Sequence, residues 1–442
     1  MTELTELVHQ KDLKPIRHWL TTKGTLEIAE SISRLEPEQR AIVFRLLPRD
    51  RSIDVFEMLD PALQQGILKT MREGRVREIL EEMEPDDRAR LLDELPPALA
   101  KGLLEGLSLK ERRLTSILLG YPEHSVGRIM SPEFVDLKIN MTAGEAISKV
   151  RESGRGVEAI YLLPVVDGME KLIDMIELGD LVLADPSVKV GTLVSEEPYS
   201  VRADQHQEVA SRLLLETGLM ALPVVNDQNR LVGILTFDDA MEVLQESDTE
   251  DILRSGASEP LGAPYFSVSL FTLTRTRAVW LMVLALAATL TVNVLNFFQV
   301  ALQSAIKLSL FIPLLIGIGG NIGSQSATII IRAMALGEVR FSDVFMVLLR
   351  EVRVGFFLGI TLGFIAIIVV GPLFGWDIAF ILGSSLLSIA VLAAFAGSLL
   401  PMLAKRIGID PAVVSAPIIS TLVDASGLII YFCIASIVFN LN

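Results

Sequence analysis

Residues 411–442 read PAVVSAPIISTLVDASGLIIYFCIASIVFNLN, and Asp424 is the only charged residue among them. A helix needs about 20 apolar residues to cross the hydrocarbon core of a bilayer. An aspartate at that depth costs roughly 2.5–3.5 kcal/mol on insertion scales, so it usually faces a polar path rather than lipid. The stretch therefore predicts a membrane span that presents one carboxylate.

Four further apolar runs precede this one, each delimited by charged residues. Loops on one side of the predicted membrane carry eight Lys or Arg residues, whereas the other side carries only Lys307. Positively charged loops stay in the cytoplasm. We therefore expect a multi-pass protein of the cytoplasmic (inner) membrane, with its N-terminus in the cytoplasm and its C-terminus outside. The five spans are expected at about 278–303, 308–336, 350–373, 378–404 and 413–439.

The charge distribution separates the chain into two parts. The first 270 residues hold 48 acidic and 30 basic residues, whereas the remainder has a small positive excess. Such an acidic field repels nucleic acid and attracts cations. The N-terminus lacks the apolar core of a signal peptide. Cys433 is the single cysteine, and no nucleophile–base pair or phosphate loop appears, so the sequence does not favour an enzyme.

Residues 1–125 contain a twelve-residue repeat. Most repeats place a proline shortly after an apolar position, as in LEPEQR, LDPALQ and MEPDDR. Proline suits the first turn of a helix and ends the preceding one. Helices of about two turns are too short to be stable alone, so the repeat predicts an all-α stack around an apolar seam. The seam positions are Leu35, Leu47, Leu59, Met71, Met83, Leu95 and Leu107.

Residues 126–247 alternate short apolar runs, such as AIYLLPVVD and ALPVVND, with helical patterns, and the alternation occurs twice. It predicts two related α/β modules in tandem, at about 126–188 and 189–247. The second module ends in GILTFDD, a strand turning into a helix, with Thr236 three residues before Asp239. A hydroxyl and a carboxylate at this spacing suit a ribose, but a helix-capping box also explains them without a ligand.

The second apolar run contains GGNIGSQSAT at residues 319–328. Its glycines leave one face open to close helix packing. Packing does not explain Asn321 and Gln325, which place amides at the same depth. Magnesium keeps several waters and is held by one or two carboxylates, so one aspartate per chain, doubled by a twofold axis, would suit it. The residues therefore predict a divalent-cation path in a dimer.

These segments resemble the MgtE family of magnesium channels over the whole chain. GGNIGSQSAT and DPAVVSAPIISTLVDASGLIIYF (410–432) look like the two signature segments of the membrane domain, and RLVGILTFDDAMEVLQESDTEDILRSGA (230–257) is similar to the end of the paired cystathionine-β-synthase-type (CBS) domains. The resemblance implies a multidomain fold. Its parts are an acidic all-α helical-repeat N domain (1–125), tandem α/β CBS domains (126–247), a linker or plug helix (248–277) and a five-helix α transmembrane domain (278–442).

The resemblance also implies a homodimeric channel, embedded in membrane lipid, for which Mg²⁺ is both substrate and regulator. In that family the second and fifth helices line the pore, so Asp424 would organise hydrated Mg²⁺ with Gly320, Asn321 and Gln325 nearby. Intracellular Mg²⁺ closes these channels by compacting the N and CBS domains, and the linker helix plugs the pore. By position, the regulatory ligands would be Asp86, Asp87, Asp239, Glu250, Asp251 and Asp410.

Some members of the family bind ATP between the CBS domains, where Thr236 and Asp239 would contact the nucleotide. In the first module Asp174 and Glu177 replace the glycine and the hydroxyl of the second, and both should repel phosphate. ATP binding is therefore an open alternative. Two other functions also remain open at this point: a secondary transporter that exchanges Mg²⁺, Mn²⁺ or Co²⁺ for Na⁺ or H⁺, and a non-transporting CBS sensor of nucleotide or Mg²⁺.

Overall fold

The chain folds into two compact units, Met1–Ser247 with Gly262–Ser269 and Asp248–Leu261 with Leu270–Asn442. The first contains the helical repeats and the α/β modules, and the second contains the long apolar helices. The structure is a computed structural model that describes residues 3–9, 13–194, 198–262, 264–299, 306–414 and 416–439.

The N-terminal region is a stack of short helices, as the repeat predicts. Pro37, Pro61 and Pro85 each stand in the first turn of a helix, where the missing N–H removes no helical hydrogen bond. The seam positions are buried, apart from Met71, which is half-buried. The helices are α1 (Glu3–His9), α2 (Leu13–Thr22), α3 (Thr25–Ser33), α4 (Pro37–Leu46), α5 (Arg49–Glu57), α6 (Pro61–Leu68), α7 (Glu73–Glu82), α8 (Pro85–Asp93), α9 (Pro97–Gly106) and α10 (Leu109–Leu119).

The two α/β modules are structural repeats of each other. In each, the middle strand pairs in parallel with a short first strand and antiparallel with a third. Pro164 pairs with Met175 as Pro223 pairs with Ile234, and both sheets shift register at the last residue of the middle strand. The first module contains α11 (Val126–Ile129), β1 (Leu137–Lys138), α12 (Ala143–Ser153), β2 (Leu162–Val166), β3 (Leu172–Glu177) and α13 (Leu178–Leu183). The second contains β4 (Val201–Arg202), α14 (Gln207–Thr217), β5 (Ala221–Val225), β6 (Leu231–Thr236) and α15 (Phe237–Ser255).

The segment 248–277, predicted as a linker helix, is divided between two longer helices. Helix α15 starts in the second α/β module and continues to Ser255, because no glycine or proline interrupts it. The glycines and prolines that follow, from Gly256 to Pro264, end the helix. Residues 270–277 already belong to the first apolar helix.

Five helices among the described residues are long and apolar enough to cross a membrane. Four of them continue into charged residues at one end or both, so the third begins at Val344 rather than at 350, whereas the fifth lies within its apolar run. Residues 300–303 of the predicted first span and residue 415 of the fifth lie outside the described residues. The helices are α16 (Leu270–Phe297), α17 (Ile312–Ala335), α18 (Val344–Phe374), α19 (Trp376–Arg406) and α20 (Ala416–Phe439).

Small residues bring α17, α19 and α20 close together. A Cβ atom on Gly319 would lie 2.8 Å from Cγ2 of Ile389, and one on Gly397 would lie 2.3 Å from the carbonyl oxygen of Gly323. Both positions therefore need glycine for the backbones to approach this closely. One glycine face of α17 is thus used for packing within the unit.

Candidate ion pathway and regulatory acid cluster

Asp424 lies near the middle of α20, and its Oδ1 atom is buried without a hydrogen-bond partner among the described residues. Helix α17 passes directly beside it. A Cβ atom on Gly320 would lie 2.2 Å from the hydroxyl oxygen of Ser420 and 3.7 Å from Oδ1 of Asp424. The structure therefore brings together Gly320 and Asp424, both of which the resemblance names, and adds Ser420, which the sequence analysis missed.

Asn321 and Gln325 lie one turn apart on the exposed side of α17. Gly317 continues this stripe, and nothing lies within 4 Å of where its Cβ atom would be. The neighbouring Gly319 and Gly323 are buried against the other helices. Amides that face hydrocarbon leave their donors and acceptors unsatisfied, which costs several kcal/mol per group. This stripe consequently requires water, an ion or another protein surface.

A second group of carboxylates lies in the first compact unit, between α8 and the α/β modules. Oxygens of Glu84, Asp86 and Glu158 lie within 4.8 Å of one another. Asp86 is 5% exposed, and its Oδ1 meets no hydrogen-bond partner in the part of the chain that the structure describes. An orphaned buried oxygen among carboxylates fits a hard divalent cation such as Mg²⁺, which takes oxygen ligands.

The electrostatics of this cluster agree with its geometry. Burial, reinforced by neighbouring carboxylates, raises the pKa of Asp87 to about 7 and that of Glu158 to about 8. The pKa of Asp239 is also raised to about 7, again mainly by burial. The pKa of Asp86 is raised well above its usual value by burial and then by the charges of Asp239 and Glu158. Carboxylates whose pKa values are raised this far lack enough positive charge nearby to offset their burial.

The cluster contains predicted and missed residues. Asp86, Asp87 and Asp239, which the resemblance names, interact electrostatically within it. Glu84 was missed, although it adjoins Pro85 and the two aspartates in MEPDDR. The sequence around Glu158 does not indicate a metal ligand, because only the fold brings the residues just before β2 close to α8.

Glu250 and Asp410 lie in the second compact unit and share one arginine. Arg254 places Nη2 3.1 Å from Glu250 and Nη1 2.7 Å from Asp410. Asp410 also accepts a hydrogen bond from the backbone N–H of Ala412 at 2.8 Å, just before α20. Asp251 follows Glu250 on α15 and is half-buried.

A second ion pair holds the same end of α15. Arg332, in the last turn of α17, lies 3.3 Å from Asp248. The final two turns of α15 are therefore tied to the end of α17 and to the turn that precedes α20. These are the two helices that carry the polar stripe and Asp424.

Thr236 and Asp239 bond to each other. The Thr236 hydroxyl donates to the Asp239 carboxylate, and the Asp239 N–H donates to the Thr236 hydroxyl at 3.5 Å. Thr236 is buried. The bond from the Asp239 N–H is one of the two contacts of a capping box, whereas the carboxylate accepts from the Thr236 hydroxyl.

Comparison with known proteins covers every region of the chain. A family model described as a divalent cation transporter, MgtE, matches residues 312–434. The model of the MgtE intracellular N domain matches 24–124, and CBS domains match 126–187 and 190–246. Among solved structures, the cytosolic domain of the Mg²⁺ channel MgtE in complex with ATP is 33% identical, with a TM-score of 0.51, and covers 54% of this chain and 98% of that one.

Two relatives match almost end to end. A magnesium transporter MgtE from Thermus thermophilus is 35% identical over 439 residues, which cover 98% of this chain and 97% of that protein. A magnesium transporter MgtE from Bacillus subtilis is 28% identical over 422 residues, 92% of each chain. The resemblance noted in the sequence is therefore confirmed. This chain, a multi-pass membrane protein, belongs to the MgtE family of magnesium transporters, which are not enzymes.

Proposed function

We propose that this chain is a Mg²⁺-selective channel that mediates magnesium uptake across the cytoplasmic membrane. The observation that carries the proposal is the orphaned Oδ1 of Asp424, buried in an apolar span beside Gly320. A carboxylate oxygen without a protein donor can accept hydrogen bonds from the water shell of Mg²⁺, which the ion gives up reluctantly. The magnesium transporters that match the whole chain support this choice of ion.

The channel is proposed to be a homodimer. Asn321 and Gln325 form an exposed polar stripe on α17, and a twofold axis beside it would let the stripes of two subunits face a shared aqueous path. The two Asp424 carboxylates would then provide the one or two charges that a hydrated Mg²⁺ requires. The excess of Lys and Arg on one set of loops supports cytoplasmic N-terminal domains and an external C-terminus.

Closure by intracellular Mg²⁺ is the proposed regulation. Asp86, Asp87 and Asp239 would hold the ion together with Glu84 and Glu158. Oxygens of Glu84, Asp86 and Glu158 lie within 4.8 Å of one another, and the charges of Asp87 and Asp239 act on Asp86 as well. Bound Mg²⁺ supplies positive charge. The carboxylates then keep α8 close to the CBS domains, whereas their repulsion separates these elements when the concentration falls.

The proposed link to the pore is the end of α15. Glu250, Asp251 and Asp410 are the proposed regulatory ligands in the second compact unit, where Arg254 already joins Glu250 to Asp410. Arg332 joins the same helix end to α17. A displacement of α15 would therefore act on the two proposed pore helices.

We propose Mg²⁺, rather than ATP, as the ligand near Thr236 and Asp239. The two residues bond to each other, and Glu84 and Glu158 add negative charge that opposes a triphosphate. The solved cytosolic domain of a relative contains ATP. Isothermal titration with ATP at millimolar Mg²⁺ tests the assignment, since binding that Thr236→Val abolishes would contradict it.

Voltage-clamped proteoliposomes test the channel itself. A Mg²⁺ channel gives currents that reverse at the Mg²⁺ Nernst potential. An exchanger that couples the ion to Na⁺ or H⁺ reverses elsewhere and responds to the second gradient. If no Mg²⁺ flux is observed, the channel proposal is refuted, and the remaining alternative is a CBS sensor that does not transport.

A further inference from the structure

Helices α8 and α15 face each other with two different charge patterns. On α8, Asp86, Asp87 and Arg90 share one side, since they are three and four residues apart. The acids of α15 that follow the same spacing are Asp238, Asp239, Glu242 and Glu246. The side of α15 that carries these residues is therefore acidic. The facing side of α8 carries both negative and positive charges within a single turn.

The acids at the two ends of the α8–α15 contact have different neighbours. At the first end Asp86 faces Asp239 and Glu158, whose charges help to raise the pKa of Asp86 after burial. At the second end the guanidinium of Arg90 reaches α15, with Nη1 against Glu242 and Nη2 against Glu246. These two glutamates are one helical turn apart, and the arginine joins them.

Arg90 also lies near acids of the N domain itself. Burial raises the pKa of Asp60 and of Asp87, and the positive charge of Arg90 opposes the rise in both. Arg88, on the same helix, is fully buried and pairs with Glu111 at 2.5 Å inside the N domain. Arg90 is thus the arginine of α8 that contacts α15.

We infer that Arg90 is a tethered cation that takes the place of a metal ion at the Glu242–Glu246 end of the α8–α15 contact. The inference rests on the proposed regulation by Mg²⁺. Guanidinium keeps its charge at every physiological pH and presents a planar fork of donors to carboxylates. Unlike Mg²⁺, it stays in place when the ion concentration falls, so added metal is needed only at the Asp86 end. Arg90 therefore lowers the Mg²⁺ concentration at which the domains compact.

Limited proteolysis of the purified full-length protein, titrated with Mg²⁺, tests the inference. Arg90→Gln should raise the Mg²⁺ midpoint for protection of the N domain by about tenfold, which corresponds to ~1.4 kcal/mol. It should also increase the number of Mg²⁺ ions bound per chain in equilibrium dialysis, since Glu242 and Glu246 become free to hold metal. Saturating Mg²⁺ should restore full protection. Arg90→Lys, which keeps the charge but loses the planar fork, should raise the midpoint less than Arg90→Gln does.

Arg77→Gln is the matched control, because Arg77 pairs with Glu81 at 3.5 Å within α7 and is exposed. It should leave both the midpoint and the metal count unchanged. Wild-type values for Arg90→Gln would overturn the inference. So would a raised midpoint with no additional metal, or a lysine variant that behaves like the glutamine variant, since either result indicates packing rather than charge. A wild type whose cleavage ignores Mg²⁺ refutes the proposed regulation as well.

Discussion

Asp424→Asn should reduce transport by at least about tenfold and leave the fold intact or more stable. The substitution keeps the shape of the side chain and removes its charge. Oδ1 of Asp424 accepts no hydrogen bond from any described residue, so the asparagine breaks no contact of that atom. It also removes a charge whose placement in a span costs roughly 2.5–3.5 kcal/mol on insertion scales.

The expected loss of transport follows from Coulomb's law. A doubly charged ion held through water at ~5 Å from one carboxylate gains about 6–7 kcal/mol at an effective dielectric constant near 20. If only a fifth of this energy affects entry into the pore, the rate falls about tenfold. The contact with Gly320 places the charge where α17 and α20 meet. These two helices contain no other acid, so neither can compensate for the loss of Asp424.

Two measurements on each variant test the role of the Asp424 carboxylate. Mg²⁺ entry into proteoliposomes, followed with an enclosed Mg²⁺-sensitive dye, reports transport, and thermal unfolding in detergent reports stability. Asp377→Asn is the matched control, because Asp377 is exposed in the first turn of α19. It should transport normally and lose ~0.3–1 kcal/mol of helix-dipole stabilisation. Normal transport by Asp424→Asn, or a clear loss of its stability, would refute the role assigned to the carboxylate.

Three other perturbations test the remaining parts of the site. Gly320→Ala should cost about 1–3 kcal/mol of stability and reduce Mg²⁺ flux, because its Cβ would lie 2.2 Å from a serine hydroxyl on α20, whereas Gly317→Ala has open space and should not lose stability. Burial beside other carboxylates raises the pKa of Glu158 to about 8 from 4.5, so metal-free compaction, measured by X-ray scattering, should be favoured below pH 4.5 and lost as the pH rises through 8. A compaction that strengthens with rising pH contradicts this sign. Arg254→Gln frees Asp410 and should increase Mg²⁺ binding in calorimetry, and an unchanged isotherm would exclude a metal site there.

Sequence patterns located those features that depend on neighbours along the chain. Prolines such as Pro61 and Pro85 mark helix starts because the ring fixes φ and removes an N–H that the first turn does not use. The spans were found because hydropathy is a property of consecutive residues. Asp424 was identified for the same reason, as one charge in an otherwise uncharged run. Its neighbour Gly320 was named through the family resemblance.

The residues that were missed depend on contacts between distant segments. Arg90 and Glu246 are 156 residues apart, and nothing local distinguishes Arg90 from the other arginines of the N domain. Ser420 was overlooked because a serine in a membrane helix usually bonds its own backbone. Its position against Gly320 becomes significant only when α17 and α20 are packed. Ion pairs and close helix contacts between distant segments are properties of tertiary structure, and local sequence patterns do not predict them.

Asp86 and Asp424 present the same physical problem in two different surroundings. Each has a buried carboxylate oxygen that meets no donor within the described chain, and an unpaired buried acceptor costs about 1–3 kcal/mol, or more when charged. One arginine could supply the missing donors, as Arg90 does for the exposed Glu242. A fixed arginine would also neutralise the carboxylate permanently, so no ion could pass Asp424 and no change in Mg²⁺ concentration could be sensed at Asp86. The waters of a hydrated cation donate hydrogen bonds and leave with the ion. A mobile cation is therefore the partner that satisfies both oxygens and still allows the channel to conduct and to close.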